Sequence, residues 1–97
     1  MNMQAIMQQA QKMQRDITKK KDELNKKEFT GTSELVEVVF TGDKKLVSVN
    51  IKSDIDNDDK EIIEDMFVIA VNDAMSKIDK ETENVLGAYG SQLNGLF

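Results

Sequence analysis

Apolar residues early in the chain fall at Met3, Ile6, Met7, Ala10, Met13, Ile17 and Leu24, the i, i+3, i+4, i+7 spacing of one helical face. Neither Gly nor Pro interrupts residues 1–27, so the pattern predicts a single helix over that stretch. Read as heptads, Met3, Ala10, Ile17 and Leu24 share one seam position, with Ile6 and Met13 on the other. At a rise of 1.5 Å per residue this helix reaches about 40 Å. A body made from the rest of the chain is too small to cover such a rod. The stripe therefore predicts a projecting helix that needs a partner, with Met supplying an adaptable packing surface.

From Glu28 the period changes to two. Glu28-Phe29-Thr30 reads as a short strand ending at Gly31, and Leu35 to Thr41 as a second, with Val36, Val38 and Phe40 on one face. Gly42-Asp43-Lys44 is turn chemistry, Gly42 being the residue that tolerates positive φ. Leu46 to Lys52 alternates again, with Val47, Val49 and Ile51 facing in. The region 28–52 is thus an antiparallel meander with one buried face. After the polar loop Ser53 to Asp59 comes a long helix over 58–86. Its stripe of Ile62, Ile63, Met66, Phe67, Ala70, Ala74, Met75 and Ile78 is wide enough to cover the meander. Asp58 followed by Glu61 resembles a capping box. Residues 87–97 carry three glycines and are expected to form a looser arm or short helix. The expectation is one α+β domain, α-β-β-β-α.

Charge sharpens the first helix. The chain has a net charge of −5, but residues 1–27 carry seven basic and three acidic residues, a net of +4, leaving six basic and fifteen acidic for a net of −9 in the body. At 100° per residue, Lys12, Arg15, Lys19 and Lys26 line up nearly opposite the apolar stripe, with Lys20 to one side. A positive line on a rod whose other face packs suits tracking of phosphates. The charged outer face of a coiled coil has the same look, so the charges alone leave both readings open.

Other chemistries find less support. The chain has no Cys and no His, which removes disulfides, thiolate sites, the commonest general base and the commonest metal ligand. No apolar run is long enough to span a membrane, and the N-terminus lacks an export signal, so a cytoplasmic location is expected. Asp54, Asp56 and Asp58 match the first ligand positions of a calcium loop. Asp59 stands where that loop needs Gly, and Ile62 where it needs a ligand, so N-capping accounts better for the acids and no metal or cofactor is expected. The five serines have no His partner and no Gly-rich phosphate loop is present, so no enzyme is expected. Phe29, Phe40 and Phe67 fall on core positions, leaving only Tyr89 and Phe97 to stack on bases; contact with a nucleic acid would then be mainly to phosphate.

In order along the chain, the run Met3-Gln4-Ala5-Ile6-Met7-Gln8-Gln9-Ala10-Gln11-Lys12-Met13-Gln14, the segment Phe29-Thr30-Gly31-Thr32, Leu35-Val36-Glu37-Val38 with the Gly42 turn, the acidic loop before Glu61, Ala70-Val71-Asn72-Asp73-Ala74 and Leu86-Gly87 resemble the YbaB/EbfC family of bacterial nucleoid-associated proteins. The resemblance covers essentially the whole chain. It departs at Ser53-Asp54, where many relatives have Pro. It implies a homodimer with protruding helices, binding to double-stranded DNA through basic residues of the first helix, and a part in nucleoid organisation or gene regulation. Mapping that site onto Lys12, Arg15, Lys19, Lys20 and Lys26 rests on the helical projection rather than on a family motif. The competing expectation is a protein-interaction module whose arms hold a partner protein.

Overall fold

The computed structural model describes residues 2–52, 54 and 56–89, apart from the side chains of Asn57 and Ala88. Helix α1 runs Met3–Lys26, followed by strands β1 Glu28–Thr32, β2 Val36–Thr41 and β3 Leu46–Ile51. A 3-10 turn at Asn57–Asp59 leads into helix α2, Lys60–Leu86, and a second at Gly87–Tyr89 follows it. The α-β-β-β-α order expected of an α+β fold is present. The sheet is antiparallel in the order β1-β2-β3. The molecule is elongated, 71 × 19 × 16 Å, because α1 extends past the body.

The core lies between the sheet and α2. Val36 and Val38 are fully buried with Ala70, Ala74 and Ile78, and Leu24, Phe29 and Phe40 close its edges. Two glycines set the packing distances. A Cβ on Gly31 would lie 2.7 Å from both Cβ and N of Ala74, so β1 and α2 approach closely through Gly31, Ala70 and Ala74. A Cβ on Gly42 would come 2.7 Å from the carbonyl carbon of Leu24. Gly42 does not have the positive φ its turn position suggested; Lys44 does, at 66°. The glycine is required by the close pass of the β2–β3 turn beneath the end of α1, and its N–H donates to Lys27 O at 2.9 Å.

The two sheet edges differ. Ser33 N–H donates to Val36 O and Gly42 N–H to Lys27 O, so alternation turns the backbone groups of Thr30 and Thr32 outward. Helix α2 closes that edge. Lys77 Nζ donates to Thr30 O at 2.7 Å, the Thr32 N–H donates to Asp73 Oδ2 at 2.9 Å, and Lys77 and Asp73 pair at 3.2 Å. The Thr32 N–H, and after it Lys77, hold the Asp73 carboxyl below its ordinary pKa. A lowered carboxylate pKa stabilises the fold above the unfolded-state value, and that contribution is lost as pH falls through the folded one. Asp73→Ala is accordingly expected to cost about 1 kcal/mol at neutral pH, kept modest by solvent screening. In thermal melts across pH, the gap to the parent protein should close as pH falls below about 4.

Edge β3 is open and departs from expectation. Val47, Val49 and Ile51 are 51, 42 and 39% exposed, not buried as the alternation suggested, and Leu46 beside them is 49% exposed. The reason is geometric: a helix about 10 Å wide covers about two strands spaced 4.8 Å apart. α2 lies on β1 and β2 and leaves β3 bare. Its own Ile62 and Ile69 are likewise about half exposed, at 48 and 52%. A bulge opposite Phe40 further displaces Val47 from regular pairing. Two boundaries also shift. β1 continues through Gly31 to Thr32. Asp59, rather than Asp58, stands at the α2 N-cap and makes no side-chain cap, because a 3-10 turn closed by Asp59 N–H to Asp56 O takes up the capping-box positions. Beyond Tyr89 the expected C-terminal arm lies outside the described residues.

Candidate nucleic-acid interface

Helix α1 starts where Asn2 Oδ1 accepts the Gln4 N–H at 3.0 Å, an N-cap, and ends with Lys26 in its last turn. Its apolar stripe divides in two. Leu24 joins the main core, Ile17 pairs with Leu86, and Met13, Val85 and Tyr89 pack against that pair. Met3, Ile6 and Met7 remain 73, 44 and 59% exposed on the projecting half.

Opposite the stripe, Lys12, Arg15, Lys19 and Lys26 are all exposed, as the projection required. Arg15, Lys19 and Lys26 line one shallow face with Gln11, Gln14 and Thr18, and Asp22 and Glu23 share it. These acids are thus interleaved with the cations of the last two turns. Among the described residues, none of these four cations lies within ion-pair distance of a carboxylate. The body differs. Lys44 meets Asp79 at 3.5 Å, Lys45 meets Asp43 at 3.7 Å, and Lys77 meets Asp73, while Lys27, just past the end of α1, meets Glu81 at 3.5 Å. Three of the body's six lysines are thus paired with its own acids, while the line on α1 faces solvent.

Lys20 stands apart from that line. Its ammonium lies 3.2 Å from Tyr89 Oη and 5.1 Å from the ring centroid, a combined hydrogen bond and cation–π contact. Tyr89 is half-buried against the α1–α2 joint, which removes it as a free stacking residue. No heptad or charge pattern marked this pairing, since the two residues are 69 positions apart. The Asp73–Lys77 clasp was equally hidden, although its i, i+4 spacing is legible in the sequence. Among the described residues, no helix is long and apolar enough to cross a membrane.

The geometry is that of an α+β body carrying one long cationic helix. The sequence profile of the YbaB/EbfC DNA-binding family matches residues 1–93. The chain belongs to that family. Its YbaB/EbfC relatives include a nucleoid-associated protein of Streptococcus suis, 48% identical over 96% of this chain and 97% of the relative. Another, from Ligilactobacillus salivarius, is 46% identical over 99% of this chain and 95% of the relative. A third, from Enterococcus faecalis, is 45% identical over 97 and 93%. The fold is also that of an uncharacterized Helicobacter pylori protein of known crystal structure, with a TM-score of 0.77 over 92% of this chain and 97% of that one, at 20% identity.

Proposed function

We propose that this YbaB/EbfC protein binds double-stranded DNA in the bacterial nucleoid, within the cytoplasm, as a homodimer whose two α1 helices hold the duplex backbone. The observation that carries the reading is the exposed line of Lys12, Arg15, Lys19 and Lys26, none of them within ion-pair distance of a carboxylate among the described residues, on an otherwise acidic protein. Phosphate neutralisation by such a line supplies affinity without reading bases. Lys20 lies to one side of the line and is engaged with Tyr89, so its contribution is smaller. Repulsion from the acidic body confines DNA to the arms. Organisation of DNA and modulation of gene expression follow from occupancy, with no enzymatic step. The test is fluorescence anisotropy on several unrelated duplexes at moderate salt. Similar affinity for all of them is expected; no binding to any of them would reject the proposal in favour of a protein-interaction module.

The bare edge supports the dimer. The Lys52 N–H donates to Leu35 O, so alternation directs the backbone groups of Val49 and Ile51 to the open side. An antiparallel strand edge is self-complementary about a two-fold axis, the symmetry of most homodimers. Leu46, Val49 and Ile51, with Ile62 and Ile69 of α2, supply the apolar surface such an interface needs. Val49→Lys is expected to leave helicity unchanged and yield monomers in sedimentation equilibrium. A dimer of unchanged stability would place the interface elsewhere.

A further inference from the structure

We infer that the contact of α1 with the duplex continues past Lys12 onto Gln11, Gln8 and Gln4, whose side-chain amides hydrogen-bond phosphate and sugar oxygens. The inference deepens the proposed DNA binding by α1 and rests on it. It adds a neutral stretch to the site, and with it a share of the affinity that salt does not remove.

Gln4, Gln8 and Gln11 are all exposed. At 100° per residue, Gln8 falls within about 10° of the centre of the Lys12/Arg15/Lys19/Lys26 line, and Gln4 and Gln11 lie within about 50° and 70° of it. Met3 and Ile6 are about 150° away, on the apolar side. Gln11 shares the shallow face of Arg15, Lys19 and Lys26. Along the helix, Lys26 to Lys12 spans about 21 Å, and Gln4 carries the same face about 12 Å further.

Charge favours the same direction. The acids of α1 are Asp16, Asp22 and Glu23, all C-terminal to Arg15, and residues 2–11 hold no charged side chain. A phosphate strand followed from Lys26 towards the helix start therefore passes interleaved carboxylates first and meets none beyond Arg15. Among the described residues, the side-chain amides of Gln4, Gln8 and Gln11 make no hydrogen bond, whereas Asn2, off this face, is engaged as the N-cap.

Each free amide offers two N–H donors and an acceptor. Gln is among the uncharged side chains that position proteins on a duplex through phosphate and sugar oxygens. Such bonds carry no sequence information, in keeping with similar affinity for unrelated duplexes. A neutral side chain replaces no counterion, so it strengthens binding without steepening the salt dependence. A merely solvated face would do neither.

Fluorescence anisotropy across salt on full-length variants tests this. Gln4→Ala/Gln8→Ala/Gln11→Ala keeps good helix formers in α1, so its circular dichroism should match the parent's. It should bind about tenfold more weakly or worse at every salt concentration, with the slope of log K against log salt unchanged. Gln8→Lys should steepen that slope by about two, one new phosphate contact on each of two arms at about 0.9 each. Gln9→Lys adds the same charge about 90° off the line and should steepen it far less. Parental affinity in the triple variant, or equal slopes for Gln8→Lys and Gln9→Lys, would overturn the inference while leaving DNA binding by the cations intact. A parent protein that binds no duplex would overturn both.

Discussion

Changing Lys12, Arg15, Lys19 and Lys26 together to Gln should lower affinity for duplex DNA by roughly three orders of magnitude or more near physiological salt. Each phosphate neutralised releases counterions, and two arms of four cations give Z of about eight. Proteins with that many phosphate contacts owe most of their non-specific affinity to them. All four side chains are exposed and without carboxylate partners among the described residues, so their loss should leave the melting temperature nearly unchanged. The informative control removes the same charge from the body: Lys44, Lys45, Lys60 and Lys80 to Gln. If net charge alone drew the DNA, both variants would weaken equally. A line on α1 predicts a small effect from the body variant, because Lys44 and Lys45 already face Asp79 and Asp43.

Gly31→Val should destabilise the fold severely. The smallest added side-chain atom meets Ala74 at 2.7 Å and crowds the α2 backbone at Ala70, neither of which can swing aside as a flexible side chain would. Relief requires moving α2 off β1, which would open the core around Val38, Ala70 and Ala74. The cost is expected at or above the ~3 kcal/mol upper range for overpacking. That is a large share of the ~5–15 kcal/mol that holds a small domain together. Thr30→Val is the matched control. That side chain is exposed, and the Lys77 contact uses the Thr30 carbonyl, which the substitution keeps. Urea unfolding followed by circular dichroism reads both. A Gly31→Val protein whose urea midpoint matched that of the Thr30→Val control would mean that β1 and α2 do not pack through this glycine.

Patterns of local period were readable in the chain, and relations between distant residues were not. The stripe from Met3 to Leu24 announced both α1 and its projection. Its division into a packed half at Ile17 and Leu24 and a bare half at Met3 to Met7 depended on where α2 ends. Val36, Val38 and Phe40 were identifiable as core from alternation alone. Val47, Val49 and Ile51 alternate equally well, yet one helix covers only two strands, and which strand lies outside is a matter of tertiary arrangement. Gly42 was noticed for its turn but is needed for the carbonyl of Leu24, a neighbour 18 positions away that no turn rule contains. At the candidate interface, the helical wheel placed Lys12, Arg15, Lys19 and Lys26 on the exposed side. It could not show that Tyr89 occupies Lys20.

The central claim is that two α1 helices grip the DNA backbone. It is tested most directly by the salt dependence of binding. Association with an unrelated duplex, measured from roughly 50 to 300 mM monovalent salt, should give log K against log salt a slope near −7, about −0.9 for each of eight neutralised phosphates. A slope near −1 or shallower, or one that the Lys12/Arg15/Lys19/Lys26→Gln protein shares with its parent, would contradict it.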